Sequence, residues 1–171
     1  MLDLLCASTA LLCASIAVSA ADLPDKSQAP VPASIGAGKK AFVSNAGMDG
    51  TSFSAFQRLG EADQPYNAFY AAMKSWGRFD LAGAPGDADL IFEVSFASPM
   101  TDCGKATFYG LQMQLRIIDA RTHFILWSLT QPMGGGLGGR KETFDKNFDK
   151  ALADLMTRVK DLVARSATSG G

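Results

Sequence analysis

The chain has 171 residues, 16 Lys and Arg against 17 Asp and Glu, a single His, and a formal net charge of −1. That length suits one ordinary domain, whose core needs no metal or disulfide staple. Near-neutrality excludes the basic footprint of a nucleic-acid binder and the basic patch that an anionic membrane surface would attract.

Residues Leu4 to Ala20 are apolar or small and end in Val18-Ser-Ala-Ala21, a pattern that suits signal peptidase. The run is too short, and too rich in Ala and Ser, for a membrane span. We therefore expect residues 1–21 to be a signal peptide, cut after Ala20 or Ala21, and the mature protein to be periplasmic or secreted with no transmembrane span. Asp3, and the lack of Lys or Arg before the apolar run, depart from the usual leader. A lipid anchor is not expected, because Leu12 precedes Cys13 and Leu5 precedes Cys6 where a small residue is required. The mature chain keeps one cysteine, Cys103, so an intrachain disulfide is impossible.

Asp22 to Gly38 is rich in Pro, Ala, Ser and Gly and reads as a flexible linker. A first strand is expected over Lys39–Asn45, then a long loop, Ala46–Gln64, carrying Phe53, Phe56 and Arg58. Pro65 suits the first turn of a helix in which Tyr66, Phe69, Tyr70, Met73 and Trp76 make one aromatic face, with Gly77 as its stop. Arg78–Leu81 is expected to be a short strand and Ala82–Ala88 a Pro/Gly turn.

Three clear strands follow: Leu90–Phe96, Gly110–Ile118 and His123–Thr130. In the first, Leu90, Phe92, Val94 and Phe96 oppose Ile91, Glu93 and Ser95. In the second, Leu111, Met113, Leu115 and Ile117 oppose Gln112, Gln114 and Arg116. A period of two means one buried face and one wet face. The last helix is expected over Thr143–Arg165, where Phe144, Phe148, Leu152, Leu155, Val159 and Leu162 step by three and four. Asp154 with Arg158, and Asp161 with Arg165, are favourable i, i+4 pairs.

These elements predict an α+β domain over residues 39–165. Its single mixed, mainly antiparallel sheet has the order strand-helix-strand-strand-strand-strand-helix, with two helices packed on one face and a disordered tail at 166–171. Reading each short connection as a hairpin puts the loop Ala46–Gln64 and the turns Gly83–Asp87 and Asp119–Thr122 at one end of the sheet. The loop Ser98–Thr107 then falls at the other end.

The chemistry-bearing candidates are few. Gly134–Lys141 lies between a strand and a helix, but Gly139 is followed by Arg140-Lys141-Glu142, not by the Lys-Ser/Thr of a phosphate loop. One His and one mature Cys cannot supply a typical zinc site. Asp87 and Asp119 suit turns for their local hydrogen bonds. Glu93 is expected opposite Arg116 across the ladder. No catalytic residue, cofactor or metal is predicted.

Ala88-Asp-Leu-Ile-Phe-Glu-Val94, Gly110–Asp119, Thr122-His-Phe-Ile-Leu-Trp-Ser128 and the closing helix resemble a family of bacterial envelope proteins, many of them lipoproteins. The chain is also similar to the small periplasmic α/β domains of the Tol-system propeller protein's N-terminus and of the curli-secretion lipoprotein. The resemblance implies a fold and no activity. It leaves three functional readings. The first is a non-catalytic envelope module that binds a protein or glycan through Phe53, Phe56, Arg58 and Arg121. The second is a carrier of a lipid or small ligand, held between the aromatic helix and the sheet. The third is a hydrolase using carboxylates with His123.

Overall fold

The computed structural model describes residues 29–53, 63–102, 107–134 and 140–168. The expected leader, Phe56, Arg58, Cys103 and most of the glycine-rich run lie outside the described residues.

In chain order the elements are helix α1 (Ala33–Ala37), strand β1 (Lys40–Met48), helix α2 (Gln64–Trp76), strands β2 (Asp80–Leu81) and β3 (Leu90–Ala97), the ribbon strands β4 (Met100–Asp102) and β5 (Thr107–Tyr109), strands β6 (Gln112–Asp119) and β7 (Ile125–Pro132), and helix α3 (Lys141–Thr168). Five strands form one sheet in the order β2-β1-β3-β6-β7. β1 runs parallel to both β2 and β3, whereas β3–β6 and β6–β7 are antiparallel. The fold is the expected α+β class with a mixed sheet.

The period-two reading holds for the apolar face of β3 and β6, while Ile91, expected on the wet face, is also buried. Phe92 faces Ile117 and Val94 faces Leu115 across the ladder, and all four are buried. α2 and α3 cover this side. Phe69 and Met73 of α2 and Phe144, Phe148, Leu155, Val159 and Leu162 of α3 close over it. Phe148 stacks on Phe96 with ring centroids 6.1 Å apart. Gly77 ends α2 at φ 66°, a left-handed conformation that glycine adopts without a Cβ clash.

The expected placement of the sheet's ends is corrected. β2 is no hairpin partner of β3: both flank β1, and Leu81 and Leu90 both stand level with Ala41. A two-residue strand rises only about 7 Å, so the turn at Pro85–Asp87 returns the chain to its starting level instead of reversing it at the far end. The turns at 83–87 and 119–122 therefore lie at the end where β1 begins. The ribbon β4–β5, in the segment read as the loop Ser98–Thr107, lies at the end where β1 finishes.

Two further expectations change at the boundaries of the domain. Residues 33–37, inside the expected linker, form α1, and its Ile35 is fully buried. The expected tail begins at Ser166, yet Ser166 is buried and α3 runs on to Thr168. The two segments explain each other. α1 packs on the end of α3, and Arg78 donates to the carbonyls of Gly36 and Gly38 at 2.5 and 3.2 Å. Apolar burial of Val31 and Ile35, invisible to periodicity in so short a segment, outweighs the Pro/Gly composition.

Leu115→Ala should destabilise the domain by about 2–5 kcal/mol through loss of a fully buried side chain, read as a lowered midpoint in urea. A Cβ at Gly36 would lie 2.5 Å from Ser166 Oγ and 2.9 Å from the Ala167 nitrogen. Gly36→Ala should accordingly cost about 1–3 kcal/mol by overpacking. An unchanged midpoint would mean that α1 is not docked.

Candidate functional site

The predicted contact residues do not converge. Phe53 is exposed just past the end of β1, beside Asp49, whose backbone N–H donates to Phe96 O. Arg121 lies at the opposite end of the sheet, in the β6–β7 turn. Phe56 and Arg58 are outside the described residues. The carboxylates that a hydrolase could use with His123, Asp49, Asp87 and Asp119, divide the same way. Asp49 stands at one end, while Asp87, Asp119 and His123 stand at the other.

Asp49, Asp89 and Asp119 are each engaged with backbone. Asp49 accepts from the N–H of Ser52 at 2.7 Å and of Ser98 at 2.5 Å, stapling the ends of β1 and β3. Burial is the largest single influence on Asp49 and raises its pKa, but the hydrogen bonds from Ser52 and Ser98 together outweigh it, and the net shift is downward. Asp89 accepts from the N–H groups of Lys39 and Lys40 at 2.8 and 2.9 Å, which hold its pKa low. Asp119 closes its own turn, accepting from Thr122 N, Thr122 Oγ1 and Arg121 N, and is lowered chiefly by Thr122. His123 completes that turn at φ 59°, which is why β7 starts two residues later than the alternation implies. A cleft of about 560 Å³ contains Lys39, Asp89, Asp119 and Arg121, but both its carboxylates are scaffold. Glu93 meets Arg116 at 2.5 Å, as the ladder register predicts.

The space expected for a carrier is filled. Phe69 and Met73 are fully buried, and Phe79 lies 5.3 Å from Phe92 and 5.6 Å from Trp76, ring centre to ring centre. The concavity beside α2 is an open groove of about 470 Å³ on the outer side of α2 and α3, lined in part by Trp76, Leu152 and Lys160. Among the described residues no group of three or more His, Cys, Asp or Glu could hold a metal ion, and no helix is long and apolar enough to cross a membrane.

A larger concavity, about 750 Å³, lies between β7 and α3 and is lined by Ala29, Trp127, Arg158, Asp161, Ala164 and Arg165. Its construction follows from local rules. The β6–β7 register slips between Ile117 and Ile118, a bulge that leaves Trp127 opposite the buried Ile117. Trp127 thus turns toward α3 from the edge strand of the sheet and stays half-buried. On α3, positions 158, 161 and 165 step by three and four along one flank of the apolar stripe.

Arg158 does not take the expected partner. Asp154 pairs with Lys150 at 2.7 Å, and Arg158 crosses to β7, where Nη1 donates to Thr130 O at 2.5 Å and to Gln131 Oε1 at 3.3 Å. The Met133 N–H to Leu111 O bond fixes which pairs of the β6–β7 ladder are hydrogen-bonded. Alternation from there turns the carbonyl of Thr130 away from β6, toward the free edge. Arg158 caps that edge. Sequence inspection passes over this site because its residues come from two distant segments. The available signal was a Trp in an edge strand and two Arg residues seven apart beside a core stripe.

No protein-family model and no curated protein matches the chain. Solved structures with a similar arrangement include a neuraminyllactose-binding hemagglutinin homolog from Helicobacter pylori (7% identity, TM-score 0.49, covering 77% of this chain and 89% of that one). They also include the PelC dodecamer from Paraburkholderia phytofirmans (15%, 0.45, 71% and 86%) and the lipoprotein GNA1162 from Neisseria meningitidis (12%, 0.38, 74% and 98%). At these identities and TM-scores the likenesses carry no argument about what this chain binds. What the structure itself defines is a one-sided α+β domain with an open groove at one sheet edge.

Stability should be flat above the ordinary carboxylate value of 3.8 and fall as pH drops through the lowered values of Asp49, Asp89 and Asp119. In that window the unfolded chain binds the additional protons. Asp49→Asn should lower the melting temperature more at pH 7 than at pH 3, because below the ordinary value of 3.8 the unfolded chain already takes up the proton and the charged carboxylate's advantage shrinks. An equal loss at both values would show that the charge is not what holds the staple.

Proposed function

We propose that the chain is an exported, non-catalytic binding module of the bacterial envelope, and that it takes its partner in the groove between β7 and α3. One observation carries this reading. The concavity between β7 and α3 gathers an aromatic ring, two guanidinium groups and a carboxylate, whereas the acidic residues that a hydrolase would use are divided between the two ends of the sheet, with Asp49 and Asp119 engaged with backbone N–H groups. A concave site with a few convergent polar groups is the usual seat of binding. Export is supported by the apolar run Leu4–Ala20 and its small-residue ending, and the envelope by the resemblance of Ala88–Val94, Gly110–Asp119 and Thr122–Ser128.

A photo-crosslinking residue at Ala164, in the groove, should give adducts with an envelope component in intact cells. The same residue at Gly83, just after β2 at the opposite edge of the sheet, should not. Adducts from both positions, or from neither, would remove the groove from consideration. Mass spectrometry of the exported protein should find its first residue at Ala21 or Asp22. A chain retaining Met1 would contradict export by cleavage.

A further inference from the structure

We infer that the open face of the sheet is the contact surface for a second copy of this chain, in a two-fold dimer. α2 and α3 both pack on the other face, and α1 packs on α3. Yet the open face carries an apolar row. Phe42, Ile91, Ile118 and Ile125 pair in turn across β1, β3, β6 and β7. Ile91 is buried without belonging to the core cluster. Ile125, at the end of the row, is 53% exposed, and Phe124 beside it is 73% exposed. Packing of the core does not call for this row, because the core lies on the opposite face.

The neighbouring rows identify the occupant. Ser44, Glu93, Arg116 and Ser128 form the next one, and Ser95, Gln114 and Thr130 the one after. In these three rows Glu93 and Arg116 are the only charges, one of each sign, on adjacent strands. A two-fold axis in the plane of contact, running along the strands between β3 and β6, lays each row on the same row of the second copy. Ile91 then meets Ile118 of the second copy, Phe42 meets its Ile125, and Glu93 meets its Arg116, every contact being made twice. Two sheets packed in this way are aligned, as in a sandwich. Lys40 and Asp80, exposed at the next level toward the start of β1, supply a charged rim. The face spans four strands about 4.8 Å apart and about 25 Å of strand length, so two copies bury on the order of 1,000 Å², the lower end for a specific interface. Such a dimer dissociates on dilution.

Other occupants fit less well. A lipid surface matches the apolar row but not the Glu93 carboxylate in the row beside it. An edge-to-edge dimer through β7 meets Arg158 on the Thr130 carbonyl and then Pro132, which has no N–H. The β7–α3 groove stands on the helix side, since Trp127 pairs with the buried Ile117. The dimer therefore neither needs nor blocks it, and crosslinking at Ala164 is an independent result.

Sedimentation of the mature protein over a range of concentrations is the test. Wild type should pass from monomer to dimer as concentration rises. Glu93→Arg and Arg116→Glu should each weaken self-association by at least about a hundredfold, because each sets like charges against one another twice across the axis. Mixed in equal amounts, the two variants should form a dimer again, since every contact between them pairs opposite charges; a variant that had merely misfolded would not recover. Ile125→Asp, a change at an exposed position, should also give monomer with the melting temperature unchanged. Monomer at every concentration, a dimer indifferent to the charge reversals, or a mixture that stays monomeric would overturn the assignment. Monomer that binds vesicles of anionic phospholipid, with binding lost in Ile125→Asp, would overturn it in favour of a lipid surface.

Discussion

The antiparallel register between β3 and β6 is the constraint on which the molecule depends. It sets Leu90, Phe92, Val94 and Phe96 beside Asp119, Ile117, Leu115 and Met113. A slip of one residue in β6 would turn Leu115 and Ile117 into water and bring Arg116, which faces Glu93, under the helices. The ion pair between those two, on the open face, is thus worth more as a marker of register than as a source of energy. With the side chain of Arg116 half-exposed, it contributes little against solvent. Burial of the other face against α2 and α3 supplies the driving force.

From that register the rest follows outward. β3 carries β1 on one side and β6 carries β7 on the other, so the two loops that a hairpin reading places together are separated by the length of a strand. The backbone, not a catalytic plan, explains where the acidic residues went. Asp49 ties the finish of β1 to that of β3, Asp89 ties their beginnings, and Asp119 closes the β6–β7 turn. In all three cases the carboxylate satisfies N–H groups that the ladder leaves over.

How much of this was legible in the sequence depends on what each feature rests on. Strand faces and the α3 stripe were readable because burial imposes a period, and Leu115 and Leu155 sit where that period puts them. The Glu93–Arg116 pair was readable because register follows from the hydrophobic alternation. The parallel pairing of β2 was not, since a two-residue strand has no period and its direction depends on β1, forty residues earlier. α1 was hidden for a similar reason: five residues are too few to show a stripe, and it packs on a helix more than a hundred residues away. Of the groove, Trp127 and the flank of α3 were visible separately, but nothing in local sequence says that Arg158 prefers a carbonyl of β7 to the carboxylate of Asp154.

That preference has a physical cause. An i, i+4 ion pair on an exposed helix face is worth a few tenths of a kcal/mol, and Asp154 already has Lys150. The carbonyl of Thr130, directed out of the sheet, otherwise has only solvent. Covering it also closes an edge that would offer an unpaired row to another chain. The other edge needs less protection, because β2 is two residues long. Arg158 therefore does two things through one guanidinium: Nη1 shields the edge and fixes the side chain, and the remaining donors form the cationic part of the groove wall. A substitution at Arg158 therefore disturbs the sheet edge and the groove wall together.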